Sequence, residues 1–315
     1  MYTSNQEKLE TIMEKPVQRM TDWASERKLK QFFQACNDLY TREQLRGKPF
    51  LEKIVANVGG WDGIGTFNES TWDMNWALKK VQTDFWVDAL YAPRIGVSWQ
   101  DSSRRDIQLT PAGTGKWMYW SWYTHPYAEY MRQDYKKFIR RVGSLLQRDA
   151  NLASMTDEEK GRRLDQFVND TFTIEYNVAS IARQSQFSYN HYLEANKVSL
   201  ADLNTETNNV INWVDQLSYM FNAAGVNANT RVVLLQRDYY RNITGMITSL
   251  PDEDRKRMMS NYFIWRMAEI YVQVSSKRQC TTAGALTPPP SALWVLSLGN
   301  TYTTLSMSGA NITIR

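Results

Sequence analysis

Residues Pro251 to Lys277, PDEDRKRMMSNYFIWRMAEIYVQVSSK, constrain the fold more than any other stretch of the chain. Met259, Phe263, Met267, Ile270 and Val274 step by four, four, three and four, which lines them along one face of a helix. Met258, Tyr262, Trp265, Ala268 and Tyr271 add a second apolar stripe beside the first. A helix apolar over so much of its circumference has to be enclosed by the rest of the chain. Burying side chains of this size contributes roughly 1.5–3 kcal/mol each. Pro251 suits a first helical position, and Asp252, Glu253 and Asp254 set negative charge at the positive end of the dipole. The expected structure is organised around this core helix.

Helical periods account for most of what precedes it. Residues 5 to 39 read as helix broken or kinked at Pro16, with Leu29, Phe32, Cys36 and Leu39 on one apolar face. GKPFLEKIVANVGGW carries Pro49 near a helix start and Gly59-Gly60 as its stop. Thr71 to Tyr91 reads as a third helix. Arg94–Trp99 and Asp106–Leu109 flank QDSSRR and predict a small hairpin, followed by the turn-rich loop TPAGTGKW. His125-Pro126 opens a helix to about Gln147, with Tyr130, Met131, Tyr135, Phe138, Ile139, Val142 and Leu145 turned inward. Thr156 to Glu159 has capping-box spacing and starts another, running to about Ala182. A SLADL turn, a helix near Asn208–Ala223, a short strand at Val232–Leu235 and a helix from Tyr239 to Leu250 complete the approach to the core helix. The expected fold is a mainly α, multi-helix domain with one or two small β-hairpins, and no internal repeat is present.

The chain has 315 residues with 12 Trp and 17 Tyr, enough apolar mass for a large core and too much for a disordered chain. Its net charge of +4 is spread without a dense Lys/Arg block, so nucleic acid and acidic membrane surfaces are not implied as partners. No apolar run approaches the roughly 18 residues that a transmembrane helix needs, and MYTSNQEKLETIMEK lacks the apolar core of a signal peptide. Four sequons, at Asn68, Asn169, Asn242 and Asn311, are candidate glycosylation sites and a weak pointer to a secretory history. Cys36 and Cys280 permit at most one bridge.

No catalytic constellation stands out. The only histidines, His125 and His191, are 66 positions apart, and neither belongs to an H-E-x-x-H motif. Pairing of His125 with Glu129, or of His191 with Glu194, on one helix face is far less expected as a zinc site than as ordinary surface histidines. Gly113-Thr114-Gly115-Lys116 lacks the leading glycine spacing and the Ser/Thr of a phosphate loop and reads as a plain turn. There is no G-x-S-x-G elbow. The aromatic run Trp117, Tyr119, Trp120, Trp122, Tyr123, Tyr127, Tyr130 has no basic groove beside it, which favours core packing and a tyrosine-lined surface over a stacking platform.

Three stretches carry a family resemblance. KLKQFFQACNDLYTREQLRGKPFLEKIVANVGGW, LYAPRIGVSWQDSSRRDIQLTPAG and RVVLLQRDYYRNITGMITSLPDEDRKRMMSNYFIWRMAEIYVQVSSK occur in this order between Asn5 and Lys277. Together they resemble the N-terminal, non-catalytic region of the neprilysin/endothelin-converting-enzyme family of zinc metallopeptidases. The resemblance implies a helical domain over residues 1–279, incomplete at its N-terminus, that caps a catalytic domain and encloses a chamber admitting small peptides. Family activity is peptide hydrolysis by zinc-activated water with a glutamate base. The family's H-E-x-x-H and E-x-x-x-D motifs are absent from this sequence, so no catalytic or metal-ligating residue is assigned. Zinc is expected only in the missing catalytic half, which the resemblance makes the partner, together with small peptides. It also implies the extracellular face of the plasma membrane or secretion. Cys36 falls where the family has a bridged cysteine, but Cys280 comes too early after the core helix to be its expected partner.

From Cys280 onward the composition changes abruptly: CTTAGALTPPPSALWVLSLGNTYTTLSMSGANITIR carries no charge before Arg315. Shifting TTLSMSGANI to the neighbouring reading frame permits A-L-[Y/H]-V-R-x-K-[Y/H], similar to the family's ALYVRKYF. Residues 280–315 are thus expected to be a disordered, frameshifted or mis-spliced tail. The competing expectations for the whole are an inactive fragment of a peptidase, a stand-alone peptide-binding or interaction module, and an unrelated helical scaffold.

Overall fold

A computed structural model of the chain describes residues 2–18, 21–115, 118–185 and 196–271. The elements run α1 (Tyr2–Glu14), α2 (Ala24–Asn37), α3 (Leu39–Leu45), α4 (Met74–Lys79), β1 (Tyr91–Val97), β2 (Arg105–Pro111), α5 (Trp120–Thr124), α6 (Glu129–Asp149), α7 (Asp157–Ser185), β3 (Lys197–Ser199), α8 (Leu200–Glu206), α9 (Trp213–Met220), β4 (Arg231–Leu234), α10 (Arg237–Ser249) and α11 (Asp252–Tyr271). Between α3 and α4 lie a wide helical turn at Phe50–Val55 and short 3-10 turns at Ala56–Val58 and Asp62–Ile64. Val272 onward, with His191, Glu194, Cys280 and Asn311, lies outside the described residues, as do Lys116 and Trp117.

The core helix is where the periodicity puts it. Every residue of α11 from Met258 to Glu269 is buried, including Ser260, Asn261, Arg266 and Glu269. It packs along α7, with α4 and the Phe50–Val55 turn on further sides. Trp61, Trp213, Trp265, Tyr239, Tyr240, Tyr262, Phe167 and Phe263 are among the largest fully buried side chains and belong to one continuous cluster. Aromatic residues in such numbers let one core reach from the sheet to the far helices. Thr156 caps α7 as its spacing predicts, its hydroxyl accepting from the Glu159 amide at 3.2 Å. The chain also breaks around Pro16, between α1 and α2.

The strands form one mixed sheet of order β1-β2-β4-β3. The predicted hairpin is β1–β2, antiparallel with Ile95 opposite Ile107. Strand β4 then joins β2 in parallel, with Val232 opposite Ile107, and β3 closes the far edge antiparallel to β4. β3 is three residues long, too short for an alternating pattern to stand out in the sequence.

Four local expectations are corrected. The helix expected over Thr71–Tyr91 ends near Asp84. There the buried Gln82 amide donates to the carbonyls of Ala89 (2.9 Å) and Tyr91 (3.1 Å), and Trp86 and Leu90 take positive φ (53° and 65°) to turn the chain into β1. The SLADL turn is the helix α8, with the Ser199 hydroxyl accepting from Asp202 N at 3.0 Å as its cap. The next helix starts at Trp213, not Asn208, because Asn208 and Asn209 adopt left-handed backbone and Asn212 is the cap. On α6, Tyr130 points outward and Leu146 takes the buried place expected of Leu145; a 3-10 turn at Pro126–Ala128 sets the first α6 turn outside the core.

The α2 stripe faces away from the core. Leu29, Phe32 and Leu39 are exposed, with Trp23 (80% exposed) and Tyr40 (77%) beside them in sequence, and Leu9 and Ile12 of α1 are exposed too. α1 and α2 pack chiefly on each other. The stripe is apolar at helical spacing, but the described residues do not cover it.

Candidate functional site

Polar chemistry concentrates inside the fold where α5, α6, α7 and α11 meet. Arg266 of α11 is almost fully buried between two carboxylates: its Nη1 donates to Glu269 Oε2 at 2.6 Å and to Glu175 Oε1 of α7 at 3.5 Å. Its Nε donates to the Asp88 carbonyl at 3.4 Å. The other oxygen of Glu175 accepts from the Tyr123 hydroxyl of α5 at 2.8 Å. Tyr123 Oη in turn accepts from the Gly115 amide at 2.9 Å. Next to Arg266 in the chain, the Trp265 indole donates to Tyr135 Oη of α6 at 2.8 Å.

A second clamp holds the same loop. Tyr262 Oη donates to the Gly113 carbonyl (2.7 Å) and accepts from Leu90 N (3.1 Å), while Tyr239 Oη of α10 donates to the Leu90 carbonyl at 2.5 Å. Gly113 is required there: at φ 99° it adopts left-handed backbone, and an added Cβ would lie 2.1 Å from Tyr262 Oη and 2.5 Å from Leu90 N. The Gly113–Gly115 segment is therefore a buried structural loop whose polar groups are engaged by tyrosines. Nearer the start of α11, Asp170 of α7 accepts from Arg257 Nε (3.0 Å) and Asn261 Nδ2 (2.8 Å), and Arg257 also pairs with Asp254.

Burial pushes the Glu175 carboxyl up to about 7, with the Arg266 cation pulling it down and the Glu269 carboxylate pushing it up. The same burial raises the phenols of Tyr123 and Tyr135 well above their usual range. Asp170 is also raised by burial, against the pull of Arg257 and Asn261. A carboxyl raised from 4.5 to about 7 on folding binds its proton more tightly in the native state. Its contribution to stability is complete below pH 4.5 and is lost as pH climbs through 7, by roughly 1.4 kcal/mol for each pH unit crossed between those values. Chemical denaturation of the chain should show stability falling from pH 5 to pH 8, and Glu175→Gln should flatten most of that slope. An unchanged slope in the variant would remove Glu175 as its source.

The donors among the described residues do not fit zinc. His125 is exposed, with its ring 5.4 Å from that of Tyr127. Glu129, one turn along, is engaged by Arg132 and Gln133. Among the described residues no three His, Cys, Asp or Glu side chains gather as a metal site, and no catalytic step is routed through one. The aromatic run divides by role. Tyr123 is fully buried, Trp120 and Trp122 are half-buried, and Tyr119, Tyr127 (86% exposed) and Tyr130 are each exposed. Cys36 is an exposed free thiol among the described residues. Asn68, Asn169 and Asn242 all have exposed side chains. No helix among the described residues is long and apolar enough to cross a membrane.

Sequence reading passed over Glu175, Arg266 and Glu269. The signal was present: each charge interrupts an apolar run, in TFTIEYNVASIA and NYFIWRMAEIY. A charge inside such a run has to find a buried partner.

The helical body with its small mixed sheet is similar in fold to part of a solved zinc metalloprotease. Two solved structures of the Mycobacterium tuberculosis zinc metalloprotease Zmp1, one in an open state and one in complex with an inhibitor, superpose with a TM-score of 0.67. They are 16% and 17% identical, and the match covers 90% of this chain and 40% and 39% of theirs. Residues 1–283 match peptidase family M13, and the chain belongs to that family as its N-terminal region. Human endothelin-converting enzyme-like 1 is 27% identical over 283 residues, covering 84% of this chain and 32% of that protein. Human endothelin-converting enzyme 1 is 22% identical over 267 residues, covering 85% and 32%. The chain spans about a third of the length of the curated relatives it matches.

Proposed function

We propose that this chain is the substrate-restricting, non-catalytic domain of a neprilysin-like zinc metalloendopeptidase, and that it acts by walling a chamber against a zinc-bearing catalytic half. Zinc and the glutamate base belong to that half, which this sequence does not include. The proposal places the assembled enzyme on the extracellular face of the plasma membrane or in secretion, acting on small peptides. The observation that carries it is the apolar stripe of α1–α3 that the described residues leave uncovered, where Trp23, Leu29, Phe32, Leu39 and Tyr40 are exposed in a chain spanning a third of its relatives. Apolar surface of this kind gains by being removed from water.

Co-expression with an H-E-x-x-H-bearing catalytic half of the same family tests the reading. The expected product is a one-to-one complex that cleaves short peptides and spares folded proteins, and Trp23→Asp with Phe32→Asp should abolish it. Two halves that remain apart, with the chain monomeric and folded, would argue against it. A second reading, a stand-alone peptide-binding module, is favoured by the exposure of Tyr119, Tyr127 and Tyr130. It requires the isolated chain to bind short peptides and to lose them on Tyr127→Ala.

A further inference from the structure

The candidate sequons occupy unlike settings. Asn169 lies in the middle of α7 and Asn242 in the middle of α10. Their partner hydroxyls are closed off: Thr171 is fully buried and donates toward the Asn261 carbonyl (3.5 Å), and Thr244 is 2% exposed and donates to the Tyr240 carbonyl (2.9 Å). Asn68 sits instead in the loop before α4, and Asn68, Glu69 and Ser70 are all exposed. Its Oδ1 accepts from Ser70 N (3.1 Å) and Ser70 Oγ (2.7 Å), which couples the sequon amide to its hydroxyl. The amide nitrogen has no protein partner among the described residues. Two anchors hold the loop in this presentation. Trp72 is buried, its indole donating to the Val58 carbonyl at 3.0 Å, and Phe67 packs edge-on against it with centroids 6.0 Å apart.

We propose that Asn68 is an N-glycosylation site, and that it is the sequon of the three that remains open to the transferase once the chain has folded. The donor is an oligosaccharide linked to a lipid pyrophosphate. Asn68 Nδ2 forms a bond to the anomeric carbon as the carbon–oxygen bond to the pyrophosphate breaks. The lipid pyrophosphate leaves with that electron pair, the amide gives up one proton, and nothing is oxidised or reduced. A glycan here projects from an exposed turn and displaces no core contact. The inference rests on the extracellular placement proposed above.

The test is peptide mapping of the chain secreted from a eukaryotic host behind a supplied leader, after a glycosidase that converts glycosylated Asn to Asp. Asn68 should be converted with the highest occupancy of the three. Asn68→Gln and Ser70→Ala, both at exposed positions, should each remove that glycan and leave the helical signal unchanged. An unmodified Asn68 in the leader-directed chain overturns the proposal, as does occupancy at Asn68 that survives Ser70→Ala. The same mapping on protein from its native source tests the placement separately. Modification only behind the supplied leader refutes the placement while supporting the site.

Discussion

Replacing Arg266 by Ala should destabilise the domain by about 3–5 kcal/mol, read as a lower denaturant midpoint. The guanidinium is the shared partner of Glu175 and Glu269, and without it two carboxylates remain in a space closed to water. Removing one member of a buried ionic group costs far more than the group contributes as a whole, because the remaining carboxylates lose the cation that offsets their burial. Glu175 would respond by holding its proton to higher pH, so the loss should be smaller at pH 5 than at pH 8. Combining Arg266→Met with Glu175→Gln should recover much of the loss, since a neutral amide can still accept from Tyr123 while the methionine fills the volume. A double variant no more stable than Arg266→Ala would contradict this account of the network.

Trp265→Ala should cost a similar amount, about 3–5 kcal/mol. Trp265 is fully buried and meets Tyr135, Phe138 and Phe167 edge-on, with centroids 6.0, 5.5 and 6.4 Å away. Its indole N–H also satisfies Tyr135 Oη, so truncation removes packing and leaves a buried hydroxyl short of a donor. Trp265→Phe keeps most of the apolar volume and should cost less than half as much. Similar losses for both variants would mean that the hydrogen bond outweighs the packing. Either substitution sits between α11 and the helices that enclose it, so the loss should appear as one cooperative transition of the domain.

These two neighbours illustrate what could be read from the sequence and what could not. Trp265 belongs to a stripe spaced at helical intervals over twenty residues, and long strong periods identify both an element and its burial. Arg266 lies in the same run, but its partners come from α7 and from its own next turn, and no local pattern fixes a pairing 91 residues distant. The same physics separates α7 and α10, which were legible, from β3 and α8, which are too short for a period to accumulate. The early end of α4 depends on a buried side chain, Gln82, bonding carbonyls seven and nine residues ahead. The absence of H-E-x-x-H was legible because a zinc site needs particular residues at fixed spacing. The α2 stripe was legible as an apolar face, but helical spacing specifies an apolar side, not which molecule covers it.

The proposed non-catalytic role requires that this domain carry no catalytic apparatus of its own. Its most direct test is hydrolysis of short peptides by the purified chain, with and without added zinc and chelator, alongside analysis of bound metal. The account predicts no stoichiometric zinc and no turnover under either condition. Turnover that rises with one zinc per chain and disappears with chelator would contradict it, and would require metal ligands to be found around His125 and His191.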